Sequence, residues 1–172
     1  MSYIIEFKGE FDDYNLKKFS EKLENIVKQE ENPKGCEITI DIDSPGGYVY
    51  ILFDVLEYID FMKKKGFKFI TYNRALAASC ASVLFSVGHT RITHPTAKLL
   101  IHQISFGTSG EISKIEEDVE EAKEVNNRLF RILSRNFNYN KKKMMNKCYG
   151  KDWILSASEA KKLKFTTVID IL

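Results

Sequence analysis

The sequence predicts an α/β fold, because segments with strand character alternate with segments of helical periodicity along the chain. Short β-branched runs at residues 2–8, 36–42 and 67–72 predict strands. Between them, residues 12–29 and 50–65 carry apolar side chains at every third or fourth position, which is typical of amphipathic helices. This order favours helices packed on parallel-type crossovers.

Turn and cap residues bound these elements. Gly9 ends the first predicted strand, and Asp12 or Asp13 is the expected N-cap of the first helix. A turn is predicted at residues 32–35, and Gly66 closes the second helix in the position that glycine favours.

The second half of the chain predicts shorter elements around one long helix. The predicted elements are an apolar helical run within residues 75–85, β segments at 91–92 and 98–104, helices at 111–137, 141–147 and 157–163, and a last strand at 167–171. The apolar stripe of the helix at 111–137 is longer than one domain of this size needs for its core. We therefore expect that helix to project or to pack on a partner.

Composition excludes several classes of protein. A length of 172 residues suggests one domain. With 44% hydrophobic and 29% charged residues, the composition argues against intrinsic disorder. The net charge of +2 and the lack of a basic stripe argue against a nucleic-acid partner. Three widely spaced cysteines, Cys36, Cys80 and Cys148, predict neither a disulfide framework nor a zinc site. Because the chain start lacks a signal-peptide pattern and there is no membrane-length apolar run, we expect a cytoplasmic protein without a membrane partner.

The stretch at residues 43–47, Asp-Ser-Pro-Gly-Gly, is the first candidate for chemistry. It is predicted as a turn between a strand and a helix, where glycines leave backbone N–H groups uncovered. Such a turn can bind an anion or a transient oxyanion. The structural alternative is a tight connection with no chemical role.

Ser79 is the second candidate. It is flanked by alanines after a predicted strand and before a helical run, so substrate and backbone can approach it closely. The pattern is not a GxSxG elbow. The alternative is that Ser79 is merely a helix N-cap.

His102 is the third candidate, because it interrupts the apolar predicted strand at 98–104. It is either a satisfied buried histidine or a general base beside a serine. His89 and His94 are interpreted as surface loop residues. The spacing of the three histidines predicts no metal site, and no cofactor is expected.

Taken together, the three candidates would supply N–H donors, a nucleophile and a general base, in that order along the chain. The motifs at residues 42–47, 77–79, 101–103 and 155–160 resemble those of the Clp protease proteolytic subunit (ClpP) family of serine peptidases. The resemblance runs from about residue 3 to the C-terminus. It implies a crotonase-like (ClpP-type) fold of repeated β-β-α units in a single domain, residues 1–172.

The resemblance also implies roles and an assembly. Ser79 would be the nucleophile, His102 the general base, and the backbone N–H groups of Gly47 and Cys80 the oxyanion hole. Residues 103–137 would form the projecting handle by which two seven-membered rings stack into a tetradecamer. Peptide substrates would bind as an added strand along residues 46–49 and the strand after His102, and an AAA+ unfoldase would be the ATP-dependent partner.

The sequence departs from the family pattern in three places. Counting back from residues 155–157 places the family's triad aspartate on Cys148, so Asp152, Asn146, Cys148 itself or no residue takes the third position. The family's N-terminal extension is expected to be absent, and Ala81 replaces a glycine. The chain is thus expected to be a divergent, N-terminally short member.

These features leave two principal hypotheses. The first is a serine-type endopeptidase that cleaves peptides or unfolded proteins inside a ring. The second is a catalytically impaired or inactive subunit that serves as a scaffold or interaction protein. A relative of the acyl-CoA crotonases ranks last, because it leaves Ser79 and His102 without a role.

Overall fold

The predicted alternation of strands and helices is confirmed in the computed structural model, which describes residues 1–30 and 32–170. In chain order the described elements are β1 (Ser2–Phe11), α1 (Asp13–Gln29), β2 (Glu37–Gly47), α2 (Val49–Lys65), β3 (Lys68–Ala78), α3 (Cys80–Ser86), β4 (Thr90–Thr93), β5 (Lys98–Ile101), α4 (Ile112–Phe137), α5 (Lys141–Lys147), β6 (Trp153–Ser156), α6 (Ala157–Lys162) and β7 (Val168–Ile169).

The chain forms two compact units. Unit 1 contains Met1–Leu100 and Ile154–Leu172, and unit 2 contains Ile101–Trp153. Unit 1 therefore carries the sheet with helices α1, α2, α3 and α6, whereas unit 2 carries α4 and α5.

The sheet of unit 1 is built from parallel neighbours in the order β1-β2-β3-β4-β7, and β5 pairs with both β3 and β6. Alternate side chains of β2, Ile38, Ile40 and Ile42, are fully buried. Helices α1 and α2 pack on each other and on β1. They contribute a buried face of their own: Phe19, Leu23 and Ile26 from α1, and Leu52, Val55, Ile59 and Met62 from α2. Together with the buried side chains of β2, these residues form part of the apolar core of unit 1.

The predicted helix caps are confirmed. The side chain of Asp12 accepts a hydrogen bond from the backbone N–H of Asn15 at 2.8 Å, so Asp12 rather than Asp13 is the N-cap of α1. Gly66 ends α2 in the left-handed conformation, with φ 106°. Its N–H bonds to the carbonyl of Lys63 at 3.0 Å.

Several predicted strand ends are wrong. Gly9 does not end the first strand, because β1 continues to Phe11. Residues 43–47 are not a turn but the continuation of β2, because β1 runs past Gly9 and pairs Glu10 with Gly46 and Phe11 with Gly47 after a register shift. The predicted strand at 98–104 ends at Ile101. The last predicted strand, 167–171, is present as β7 (Val168–Ile169). Residue 171 of that prediction lies outside the described residues.

The two halves of helix α4 differ in how deeply their side chains are buried. Its buried residues, Asn126, Leu129, Phe130, Leu133 and Phe137, all belong to the C-terminal half. In the N-terminal half, Ile112 is 77% exposed, and Ile115 and Val119 are half-buried. In the described part of the chain, no helix combines the length and apolar character needed to cross a lipid bilayer.

Candidate active site

Ser79 occupies a strained connection between β3 and α3. Its backbone has φ 55° and ψ −121°, a region that residues other than glycine rarely adopt. The N–H of Ser79 donates to the carbonyl of Leu100 at 3.0 Å, and its carbonyl accepts from the N–H and the hydroxyl of Ser82 at 3.0 and 2.7 Å. These bonds hold the backbone of a half-buried serine in a conformation that the sequence pattern alone does not reveal.

The hydroxyl of Ser79 is not used to cap the helix. Ser79 stands at the N-cap position of α3, yet its side chain makes no capping hydrogen bond among the residues that the structure describes. The interpretation of Ser79 as a simple N-cap serine is therefore wrong. A serine at a sharp strand-to-helix turn is also the feature of the GxSxG elbow in α/β-hydrolases.

Two glycines of β2 make close approaches, Gly46 to this turn and Gly47 to β1. A Cβ atom added to Gly46 would lie 2.6 Å from the Cβ and 3.2 Å from the Oγ of Ser79. A Cβ atom on Gly47 would lie 2.5 Å from the backbone nitrogen of Phe11. Both glycines also have positive φ angles, 104° and 145°. Only residues without a side chain let β2 approach the serine and β1 this closely.

Cys80 joins the serine turn to β2. Its Sγ donates to the carbonyl of Gly47 at 3.2 Å. Burial raises the pKa of the Cys80 thiol to about 11, so the thiol is protonated and available as a donor at neutral pH. Unit 1 thus brings Ser79, Gly46, Gly47 and Cys80 together in one small region.

Unit 2 brings a histidine and a carboxylate together. The Nδ1 of His102 lies 3.8 Å from the Oδ1 of Asp152, with the two side chains 29% and 55% exposed. That distance is an ion-pair separation and is too long for a hydrogen bond. His102 follows β5 directly instead of lying within a strand, which corrects the predicted position.

Cys148, which aligns with the family's triad aspartate, makes its hydrogen bond to a backbone carbonyl. Its buried Sγ donates to the carbonyl of Ile101 at 3.4 Å. Burial and then the negative charge of Asp152 raise the pKa of this thiol to about 11. Cys148 is therefore a neutral packing residue at the C-terminus of α5, and the carboxylate that faces His102 belongs to Asp152. Asn146 is exposed on the same helix.

The two other histidines lie outside the strands and helices. His89 is exposed, and its Nδ1 accepts from the N–H of Phe69 at 3.3 Å. The Nδ1 of His94 pairs with the hydroxyl of Thr96 at 2.9 Å. Over residues 1–30 and 32–170, no group of three His, Cys, Asp or Glu side chains could hold a metal ion.

Sequence comparisons identify the family of this chain. The family model for Clp protease matches residues 2–169. The chain is also similar to the ATP-dependent Clp protease proteolytic subunit of Porphyromonas gingivalis, with 32% identity over 139 residues. The aligned region covers 78% of this chain but 59% of that relative, so the chain spans little more than half of the relative's length. The match over nearly all of the chain establishes that it belongs to the Clp protease family.

Proposed function

We propose that the chain is a serine-type peptidase in which Ser79 is the nucleophile. The observation that carries this proposal is the strained Ser79 turn, held against Gly46 with its hydroxyl free of any capping role. A strained conformation costs of order 1–3 kcal/mol and is usually retained at functional sites. Family membership supports the same reaction class.

In the proposed mechanism, the Oγ of Ser79 attacks the carbonyl carbon of the scissile amide as His102 takes the hydroxyl proton. The oxyanion that forms is held by the backbone N–H groups of Gly47 and Cys80. His102 then delivers its proton to the leaving amine nitrogen, the C–N bond breaks, and an acyl-enzyme remains. His102 then deprotonates a water molecule, whose oxygen attacks the acyl carbon. The C–Oγ bond breaks, the acid product leaves, and His102 gives the proton back to the Oγ of Ser79.

Asp152 is the proposed third member of the triad. Its carboxylate faces the Nδ1 of His102, and this contact lies within unit 2. A carboxylate there selects the tautomer whose Nε2 can accept a proton, and it stabilises the imidazolium formed during attack. Cys148 cannot do either, because its thiol is neutral and bonded to the Ile101 carbonyl.

We propose that the substrate is an extended peptide that adds as a strand beside residues 46–49 and the residues after His102. The proposed assembly is a homo-oligomer of stacked rings, with residues 103–137 as the handle and residues 1–172 as one peptidase domain. The exposed N-terminal half of α4, including Ile112 at 77% exposure, supports an intersubunit role. An AAA+ unfoldase is the proposed source of ATP dependence.

One observation favours the alternative of an impaired or scaffold subunit. The Asp152 side chain is 55% exposed and stands 3.8 Å from His102, so water competes for the carboxylate. In that alternative the chain assembles with an active relative and contributes no turnover.

A fluorophosphonate probe distinguishes the two functions. We expect the probe to label Ser79 and short fluorogenic peptides to be hydrolysed, and we expect Ser79→Ala to abolish both signals. Ser158→Ala, which removes an exposed serine of α6, is the matched control and should behave like the wild type. Absence of both labelling and hydrolysis in the wild type, with assembly intact, would overturn the peptidase proposal and favour the scaffold.

A further inference from the structure

The residues that follow His102 run to α4 without regular secondary structure. Residues 103–110, all of which the structure describes, form neither helix nor strand, and we call them segment 103–110. A segment of this kind lacks ladder or helix hydrogen bonds to fix its backbone. The hydrogen bonds that fix segment 103–110 therefore also determine the position of the backbone next to His102.

A side chain of α4 accepts the first of these hydrogen bonds. The backbone N–H of Ile104 donates to the Oδ1 of Asn126 at 3.2 Å. Asn126 is only 9% exposed and lies in the half of α4 that carries its buried residues. The bond stands two residues after His102 and joins positions 22 apart in the chain. The predicted strand at 98–104 stops before this bond, because its partner β3 ends at Ala78, opposite Leu100.

A second hydrogen bond to α4 is made further along segment 103–110. The hydroxyl of Thr108 donates to the carboxylate of Asp118, whose other oxygen lies 2.9 Å from the Nζ of Lys114. The Thr108 bond, and then Lys114, lower the pKa of Asp118, so this carboxylate stays ionised at neutral pH. This pair is more exposed than Asn126 and adds less to the anchoring.

The direction of the Ile104 N–H matters for a bound peptide. In an extended chain, consecutive N–H and C=O groups point to opposite sides. With the Ile104 N–H bonded to Asn126, an extended backbone at this point would turn the N–H and C=O groups of Gln103 and Ser105 to the opposite side. These are the groups that an added peptide strand can pair with.

We propose that Asn126 is a positioning residue: by accepting the Ile104 N–H, it sets the backbone after His102 and the register of the edge offered to a peptide. This inference rests on the proposed peptidase function. A side-chain oxygen is required at this buried position, because removal of the acceptor leaves the Ile104 N–H without its partner. Neither the motif at 101–103 nor the helical periodicity of α4 indicates this pairing.

Amide hydrogen exchange tests the anchor without any need for activity. We expect Asn126→Ala to speed exchange at the Ile104 amide by about tenfold, and Asn126→Asp, which keeps an oxygen acceptor, to preserve slow exchange. Asn127→Ala is the matched control, since the Asn127 oxygen lies 3.4 Å from the Nζ of Lys141 and does not bond to segment 103–110. Unchanged exchange at Ile104 in Asn126→Ala would overturn the proposal.

Peptide kinetics on the same variants test the consequence. We expect Asn126→Ala to raise KM and lower kcat/KM by about tenfold, and Asn126→Asp to restore both towards wild-type values. Faster exchange with unchanged kinetics would also overturn the positioning role. If the wild-type protein hydrolyses no peptide, the proposed function fails, whereas the exchange ratio still decides whether Asn126 positions the segment.

Discussion

Gly46 lies directly against Ser79, so closely that a Cβ atom on Gly46 would stand 2.6 Å from the Cβ of the serine. Gly46 belongs to β2 and Ser79 to the turn after β3, and the two strands are neighbours in the sheet. The conformation of the serine turn therefore depends on a missing side chain in the adjacent strand.

We predict that Gly46→Ala lowers kcat/KM by about 100-fold, because the added methyl group must displace the Ser79 side chain from its reactive position. The measurement is hydrolysis of a fluorogenic peptide, together with the rate of fluorophosphonate labelling. Gly35→Ala is the control: Gly35 also has a positive φ, 89°, but a Cβ there meets no atom within 4 Å. Equal losses in the two variants would show that backbone strain, and not the contact with Ser79, is responsible.

A second prediction concerns the triad acid. We expect Asp152→Asn to lower kcat by up to about 10⁴-fold, because an amide cannot stabilise the imidazolium and favours the wrong tautomer of His102. Cys148→Ala should change kcat little. Cys148→Asp should reduce the free energy of unfolding without raising kcat, because it would place a carboxylate in a buried site.

These three variants separate the alternatives in one set of assays. An increase in kcat for Cys148→Asp, with no effect of Asp152→Asn, would identify a degraded site that had lost its acid at position 148. Urea denaturation of each variant distinguishes a catalytic loss from unfolding.

A third prediction concerns the two thiols of the candidate site. The pKa of Cys80 and of Cys148 is raised from 9.0 to about 11, chiefly by burial. Since the folded protein keeps protons that the unfolded chain releases, each thiol contributes stability that is complete below pH 9.0 and is lost as the pH rises to about 11.

Alkylation by iodoacetamide measures this shift. In the native protein, the labelling rate at Cys80 and Cys148 should keep rising up to about pH 11, because only the thiolate reacts. The chain unfolded in urea provides the reference, with a plateau near pH 9.0. A native plateau near that same pH would contradict the prediction.

A fourth prediction concerns assembly. We expect the wild-type protein to be a ring-based oligomer at micromolar concentration, and Ile112→Asp to reduce its mass in light scattering. A charge at the most exposed apolar position of α4 opposes burial against a second subunit. Ser113→Asp adds the same charge at the neighbouring exposed position and should assemble normally. A monomeric wild-type profile would contradict the proposed rings.

Local patterns in the sequence were sufficient for much of the fold. Helical periodicity, the Asp12 cap and the Gly66 terminator predicted α1 and α2, because these signals act over a few residues and need no tertiary partner. The motifs at residues 42–47, 77–79, 101–103 and 155–160 together identified the family, and they named Ser79 as the candidate nucleophile. Strand ends were less predictable, since pairing with β1 carried β2 through a proline and two glycines that read as a turn.

Only the tertiary structure decided which side chains meet. Counting along the chain aligned the family's triad aspartate with Cys148 and left Asp152, Asn146, Cys148 or no residue as the third member. In the fold, the Cys148 thiol bonds to the Ile101 carbonyl and the Asp152 carboxylate faces His102. The hydrogen bond from the Ile104 N–H to the Asn126 side chain likewise has no signature in the sequence. Contacts between residues far apart in the chain depend on how helices pack, and a local pattern carries no information on that packing.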